Sequence, residues 1–159
     1  MAKELISSSA TKSVYRDGNT AIKEFCEGFP KAEVLNEALC NARVEDIEAL
    51  NVPKVLGVSV VDGKWSIIRE LVEGKTLQQL MDENPDKLEE YMEQMVDLHI
   101  LIHAQACPLL NKLKEKTMRA LKSEVQLDDN LRYELMTRLD AMPKHTKLCH
   151  GDFDPSNII

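Results

Sequence analysis

The sequence has few aromatic residues, few glycines and no long apolar run. Aromatic residues make up 4% of the 159 residues, and six residues are glycine. No apolar stretch approaches the ~20 residues that a membrane-spanning helix needs, so we expect no membrane partner. With 43% hydrophobic and 30% charged residues, the composition excludes a collagen-like or disordered chain and is typical of a globular protein.

Basic residues are outnumbered by acidic ones. The chain has 20 lysines and arginines against 27 aspartates and glutamates, which gives a net charge of −7. Non-specific nucleic-acid binding depends on lysine and arginine meeting phosphates, so we expect no nucleic-acid partner. An acidic chain is compatible with a cationic small-molecule substrate, although acidity also serves solubility alone.

Metal-binding and redox motifs are missing as well. The four cysteines are scattered without a C-x-x-C pair, which excludes a zinc ribbon, and we expect buried free thiols in a reducing cytoplasm. His99 and His103 have the spacing of two zinc ligands on one helix face. No third ligand is evident, and Ile100 stands where a metalloprotease helix needs glutamate, so we expect packed helix histidines.

Residues 1–73 favour β-structure with one helix. We expect strands at 3–6, 13–16, 20–25, 55–61 and 65–72, a serine-rich turn at 7–11 and a helix at 31–50. Asp17-Gly18 and Asp62-Gly63 each separate two β-prone runs, and such a pair is a strong hairpin signal. This part of the chain therefore predicts an N-lobe with a five-stranded antiparallel sheet and one helix.

Residues 74–159 favour helices. Thr76 fits the cap of a short helix, and Asn84-Pro85 predicts the start of a longer one. Two more helices are predicted at 109–125 and 128–141, followed by a β-prone run at 146–149. The long helix is expected to bury one face, made of Leu88, Met92, Met95, His99 and Ile102. The overall prediction is an α+β protein with a helical C-lobe at 74–159.

A loop of polar side chains follows the last β-prone run. His150-Gly151-Asp152 is followed by Asn157, which gives the spacing H-x-D-x-x-x-x-N. Kinase catalytic loops have this spacing, because an aspartate must orient the acceptor hydroxyl while an asparagine five residues later holds magnesium. Asp152 and Asn157 fit these roles, and His150 would brace the loop. The alternative is an ordinary surface turn.

Two features of the N-lobe fit the same chemistry. Lys23, in the alternating strand TAIKEF, resembles the strand lysine that reaches nucleotide phosphates in kinases, although a solvent-facing lysine is the alternative. Glu37 on the next helix could pair with it, with Glu33 as the competitor. The segment IIRELVEGKTL would form a hinge in which backbone groups of Glu70 and Val72 bond the adenine edge.

Taken together, HGDFDPSN, the strand VPKVLGV and the segment ELVEGKTL resemble the aminoglycoside phosphotransferase family, over about residues 5–159. The resemblance implies a protein-kinase-like two-lobed fold with an incomplete C-lobe, and ATP-dependent transfer of the γ-phosphoryl group to a hydroxyl of a small molecule. The acceptor would be aminoglycoside-like, an amino alcohol or a sugar. Lys23 would hold the α- and β-phosphates, Asp152 would orient the acceptor, and Asn157 would hold magnesium. Ser8 and Ser9 would cover the phosphates.

The sequence also departs from the family pattern. The turn at 7–11 has no glycine, and Arg69 is an unusual residue beside the adenine pocket. The second metal-binding aspartate, which the family carries just after the catalytic loop, is absent, and Asp154 lies too early to replace it. These departures leave two alternatives open: an inactive fragment of such an enzyme, or a non-catalytic kinase-like binding or regulatory module. A protein kinase fits less well, because Gly151 stands where protein kinases prefer arginine.

Overall fold

The computed structural model describes residues 3–144 and 146–159. Five antiparallel strands form one sheet with the order β1-β2-β3-β5-β4. The strands are β1 (Glu4–Ser8), β2 (Lys12–Asp17), β3 (Thr20–Phe25), β4 (Val55–Val61) and β5 (Lys64–Glu70). Helix α1 (Lys31–Glu45) lies in the connection from β3 to β4. The β4–β5 hairpin therefore joins the sheet through β5, next to the central strand β3.

Both hairpins predicted from aspartate-glycine pairs are confirmed. Asp62 and Gly63 form the turn between β4 and β5, with φ of 50° and 76°. Positive φ at both positions is what a two-residue turn matched to the strand twist requires. Gly18, with φ of 59°, begins the turn between β2 and β3.

Helix α1 packs on one face of the sheet. Val34 and Ala38 of the helix form a buried cluster with Phe25 of β3 and Ile67 of β5. The helix ends at Glu45, and not at residue 50 as predicted. The Glu45 carboxylate accepts a hydrogen bond of 2.7 Å from the Val55 N–H at the start of β4. The chain between them therefore turns back toward the sheet.

The second half of the chain is helical, as expected. Its helices are α2 (Leu77–Glu83), α3 (Leu88–Ala104), α4 (Leu113–Ser123) and α5 (Asp129–Ala141), with short 3-10 turns at Pro85–Lys87 and Pro155–Asn157. Thr76 caps α2 through a reciprocal capping box with Gln79. Leu77 and Met81 of α2 and Tyr91 of α3 form a second buried cluster, against which Ile158 packs. The observed architecture is α+β, as predicted.

Several local predictions were wrong. Of the face predicted for α3, Ile102 is buried and Met95 and His99 are half-buried, but Leu88 and Met92 are exposed. Tyr91 is buried in their place, because the helix turns it toward α2. Residues 146–149 form no strand. A strand needs a neighbouring strand to pair with, whereas this run makes one backbone hydrogen bond, from the Leu148 N–H to the Gln105 carbonyl, among the described residues. Helices α4 and α5 are also shorter than predicted.

Two further corrections concern serines and cysteines. Ser8 lies in β1, which extends through half of the predicted serine turn and pairs Ser8 with Ser13 of β2. The four cysteines are free, but Cys26 and Cys149 are exposed and the other two are half-buried. The boundary between residues 73 and 74 stays a prediction. Within the described residues, the helices are all too short or too polar to cross a membrane.

Ile67 provides a test of this core. Its side chain is fully buried between the sheet and α1. We expect Ile67→Ala to lower the free energy of unfolding by about 2–5 kcal/mol, because it removes buried methyl groups and leaves a cavity. Urea denaturation measures the change. Val61→Ala, on the exposed part of β4, is the matched control, and an equal loss in both variants would contradict this core assignment.

Candidate functional site

Lys23 lies on the sheet face that α1 covers. Its cross-strand neighbours are Val14 on β2 and Ile67 on β5, and its exposure is 9%. The ammonium group donates a hydrogen bond to the Glu37 carboxylate on α1. Of the two carboxylates considered from the sequence, Glu37 therefore contacts the lysine, and Glu33 lies on the exposed side of the helix.

The environment of Lys23 disfavours its charge. Burial lowers the pKa of Lys23 below its ordinary value, and the hydrogen bond to Glu37 opposes that effect. The positive charges of Lys12 and Arg69 lower the same pKa further. The ammonium group also lies 5.2 Å from the centre of the Phe25 ring. The Lys23 ammonium is therefore poorly hydrated, and its one carboxylate partner, Glu37, is partly exposed. A second negative charge beside the ammonium would be stabilised by it.

Asp152 and Asn157 contact each other across the polar loop. The Asn157 side-chain amide donates to the Asp152 carbonyl at 3.0 Å and to its carboxylate at 3.2 Å. The His150 ring nitrogen Nδ1 accepts from the Asp152 N–H at 3.3 Å, and Gly151 adopts φ of 83° to allow this turn. Asn157 thus holds the carboxylate of Asp152, while His150 holds its backbone and braces the loop as the sequence suggested.

Asp154 has a structural role in the same loop. Its carboxylate accepts hydrogen bonds from the Ser156 hydroxyl at 2.6 Å and from the Ser156 N–H at 2.9 Å. These bonds hold the pKa of Asp154 below its ordinary value. Asp154 therefore caps the 3-10 turn that brings Asn157 back to Asp152.

The two helix histidines pack against the loop. The His99 ring stacks on Phe153 at 4.5 Å between centroids, with 21° between the planes. His103 lies 4.1 Å from His99 on the other side, and burial together with His99 and Lys147 lowers the pKa of His103. No group of three or more metal-ligating side chains occurs in the part of the chain that is described. The sequence indicated packed histidines, but no pattern in it revealed their contact with Phe153.

The hinge segment borders an open cleft of about 370 Å³. The cleft is lined by residues of β1, β2 and the hinge: Glu4, Ile6, Arg16, Leu71, Val72, Glu73 and Gly74. Glu70 is tied to Lys54 by two hydrogen bonds of 3.0 and 3.1 Å, and Val72 is 42% exposed. The backbone of Val72 is thus positioned beside the cleft.

Ser8 and Ser9 are exposed at the tip of the β1–β2 hairpin. The Ser8 hydroxyl shares a hydrogen bond with the Ser13 hydroxyl at 2.9 Å. Both the N–H and the hydroxyl of Ser9 donate to the Lys12 carbonyl, at 2.8 and 3.2 Å. These groups stabilise the hairpin in the described structure, and a role in covering phosphates stays a prediction.

The loop is also attached to the start of α2. The Leu77 N–H donates to the Ile158 carbonyl at 2.8 Å. Gly74 adopts φ of 149°, and a Cβ atom there would lie 2.7 Å from the Ile159 side chain. The chain around Gly74 and the chain that follows Asn157 therefore pack directly against each other.

Similar solved structures have a kinase fold. One is a thermostable mutant of aminoglycoside phosphotransferase APH(4)-Ia in its apo form, with a TM-score of 0.57 and 14% identity over 91% of this chain and 57% of that chain. Another is a mutant of the same protein in a ternary complex with AMP-PNP and hygromycin B, with a TM-score of 0.54 and 15% identity over 90% and 57%.

This chain has a two-lobed kinase-like fold. It spans 57% of the length of the solved chains that it matches. The chain matches no known family profile and no curated protein sequence. At this level of identity the likeness shows the fold alone, so the roles of Lys23, Glu37, Asp152 and Asn157 belong to a proposal.

Replacing both members of the buried pair tests what it contributes to stability. We expect Lys23→Met/Glu37→Leu to be as stable as the unmodified chain or up to about 4 kcal/mol more stable, because the cost of desolvating the charges disappears. Lys23→Met alone leaves the carboxylate unpaired and is expected to be less stable than the double variant. Urea denaturation compares the three. A double variant clearly less stable than the unmodified chain would contradict this expectation, because it would show that the ion pair itself stabilises the packing of α1 on the sheet.

The stack on Phe153 supports a second stability prediction. We expect His99→Ala to lower the free energy of unfolding by about 0.5–1.5 kcal/mol beyond the loss of buried area, and His99→Phe to restore most of it. The loop after Asp152 should become more sensitive to limited proteolysis in the alanine variant. If the loop is cleaved equally fast in His99→Ala and in His99→Phe, the stack on Phe153 does not hold the loop.

Proposed function

We propose that this chain is the nucleotide-binding and catalytic-loop part of an ATP-dependent phosphotransferase that acts on a hydroxyl of a small molecule. The observation that supports it most is the presence of two pairs in one kinase-like fold. Lys23 pairs with Glu37 in the sheet lobe, and Asp152 pairs with Asn157 in the helical lobe. Kinase chemistry needs a lysine held by an acid on the following helix and an aspartate near an asparagine.

The sheet lobe would bind the nucleotide. The Lys23 ammonium, held by Glu37, binds the α- and β-phosphates, whose charge compensates its burial. The Glu70 carbonyl and the Val72 N–H bond the adenine edge beside the open cleft. Ser8 and Ser9, at the hairpin tip, cover the phosphates. The ATP analogue in the complex of APH(4)-Ia supports a nucleotide as the ligand of this lobe.

The loop would perform the transfer. Asp152 accepts a proton from the acceptor hydroxyl and orients it toward the γ-phosphoryl group. Because the Asn157 amide nitrogen is engaged by Asp152, the amide presents its oxygen, a ligand type that magnesium prefers, toward a metal. Magnesium, when bound, neutralises charge on the phosphate oxygens. A single amide oxygen fits a magnesium ion that the nucleotide brings with it, since this ion usually takes few protein ligands.

The acceptor is proposed to be a small molecule with a free hydroxyl. Hygromycin B in the APH(4)-Ia complex supports an aminoglycoside-like acceptor, and the net charge of −7 supports a cationic one. Amino alcohols and sugars satisfy the same chemistry. A cytoplasmic location is part of the proposal, because the four cysteines are free and two of them are exposed.

A non-catalytic nucleotide-binding module is the second candidate. It is favoured by the difference in burial between the two pairs, since Lys23 is 9% exposed beside Glu37, whereas Asp152 and Asn157 are both exposed. The chain also spans 57% of the solved chains that it resembles, so turnover by the isolated chain is not required by the proposal. Nucleotide binding is common to both candidates, whereas phosphoryl transfer separates them.

Nucleotide binding is tested by thermal unfolding with and without magnesium and ATP. A ligand at about a hundred times its dissociation constant should add ~2.7 kcal/mol of stability. We expect an upward shift of the unfolding midpoint that Lys23→Ala abolishes and that the control Lys116→Ala, on the exposed side of α4, retains. No shift in a folded protein would contradict the proposal.

Transfer is then tested with γ-labelled ATP and a panel of aminoglycosides, amino alcohols and sugars. Asp152→Asn should remove labelled product while keeping the nucleotide-dependent shift. A shift without product from any acceptor in the unmodified chain would favour the non-catalytic module.

A further inference from the structure

The segment between α3 and α4, residues 105–112, contacts α1 of the sheet lobe. The Asn111 side-chain amide donates to the Asn36 side-chain oxygen at 2.7 Å. The Arg43 guanidinium donates to the Leu109 carbonyl, and the Cys107 thiol donates to the Arg43 carbonyl at 3.7 Å. Three contacts therefore join one short segment of the helical lobe to one helix of the sheet lobe.

These contacts lie on the side of α1 that faces away from the sheet. Asn36 and Arg43 are about half a turn around the helix from Val34 and Ala38, which pack on the sheet. Helix α1 is thus held between the sheet on one side and the 105–112 segment on the other. Glu37 follows Asn36 directly in the chain, so any rotation of the helix at Asn36 also displaces the Glu37 carboxylate.

The apolar packing of α1 on the sheet adds little directional restraint on its rotation. The buried side chains of the helix are the small Val34 and Ala38, and apolar burial is not directional. Hydrogen bonds are directional and lose strength when the geometry changes. The polar contacts with residues 105–112 therefore restrain the rotation of α1 from the side opposite the sheet, and the bond from the Val55 N–H to Glu45 restrains it from the sheet side near the end of the helix.

The same segment reaches the chain that leads into the catalytic loop. The Leu148 N–H donates to the Gln105 carbonyl at 3.3 Å, and the Leu148 side chain is buried. Residues 105–112 thus contact the helix that carries Glu37 and also the run of chain that ends at Asp152. The two pairs of the proposed site are connected through this segment.

We infer that Asn111 is a positioning residue: through Asn36 it fixes the rotation of α1 and thereby holds Glu37 against Lys23 for nucleotide binding. This inference rests on the proposed function for its nucleotide step. Its structural step, the retention of Glu37 against Lys23, is independent of nucleotide. An experiment can therefore separate the two.

Isosteric aspartates give a sharp test. Asn36→Asp alone leaves an amide donor at position 111, and Asn111→Asp alone leaves an amide donor at position 36, so each single variant keeps a hydrogen bond. Asn36→Asp/Asn111→Asp has no donor and brings two carboxylates together. Both measurements are made without nucleotide. We expect amide hydrogen exchange in α1 and acylation of the Lys23 amine to be faster in the double variant, and unchanged in each single variant.

The nucleotide step uses the same variants. We expect the double variant to weaken ATP binding by about threefold to tenfold, the range that corresponds to one hydrogen bond, with each single variant close to the unmodified chain. In a Glu37→Gln background the double variant should cause no further loss, because the effect acts through Glu37.

Each outcome decides a step. Unchanged exchange and unchanged Lys23 acylation in the double variant would overturn the inference. Faster amide exchange in α1 with an unchanged rate of Lys23 acylation would mean that Asn111 holds α1 without positioning the Lys23–Glu37 pair. That result would also overturn the inference. If the unmodified chain binds no ATP, the proposed function fails, while the exchange and acylation results still decide whether Asn111 positions Glu37.

Discussion

The burial of the Lys23 ammonium against Glu37 is the physical constraint on which the arrangement of the proposed site depends. A charged group with 9% exposure is costly unless an opposite charge and nearby dipoles compensate it, and its lowered pKa shows that compensation is partial. The sheet must place β3 in a central position to bury this residue, and α1 must cover that face at the right rotation to bring the carboxylate in. Sheet order and helix placement together meet this requirement, and the apolar cluster of Phe25, Val34, Ala38 and Ile67 holds the helix on the sheet.

Much of the sheet lobe could be predicted because its signals are local. Asp62-Gly63 determines a turn by its own backbone preferences, and the alternation in β3 determines which side chains share a face with Lys23. The loop from His150 to Asn157 was recognisable for the same reason, since the interacting residues lie five positions apart. Its cap, Asp154, acts over two residues.

Predictions failed where the outcome depended on a distant neighbour. The buried face of α3 is decided by where Tyr91 meets α2, and helical periodicity alone favoured Leu88 and Met92. The run at 146–149 has strand propensity, but a strand forms only beside a partner, and here the chain bonds to Gln105 instead. The contacts of His99 with Phe153 and of Asn111 with Asn36 join residues more than fifty positions apart, so no spacing could reveal them.

The two halves of the proposed site are held by different physics. Lys23 lies in a hydrogen-bonded sheet, where cross-strand pairs fix its position on both sides. In the part of the chain that the structure describes, the loop from His150 to Asn157 has no strand beside it. It is held by the stack on His99, by packing of Ile158 on α2 and by one bond between Leu77 and the Ile158 carbonyl. Such contacts can open locally at lower free energy than a paired strand. The position of Asp152 therefore depends more on side-chain packing in the helical lobe than on the sheet that carries Lys23.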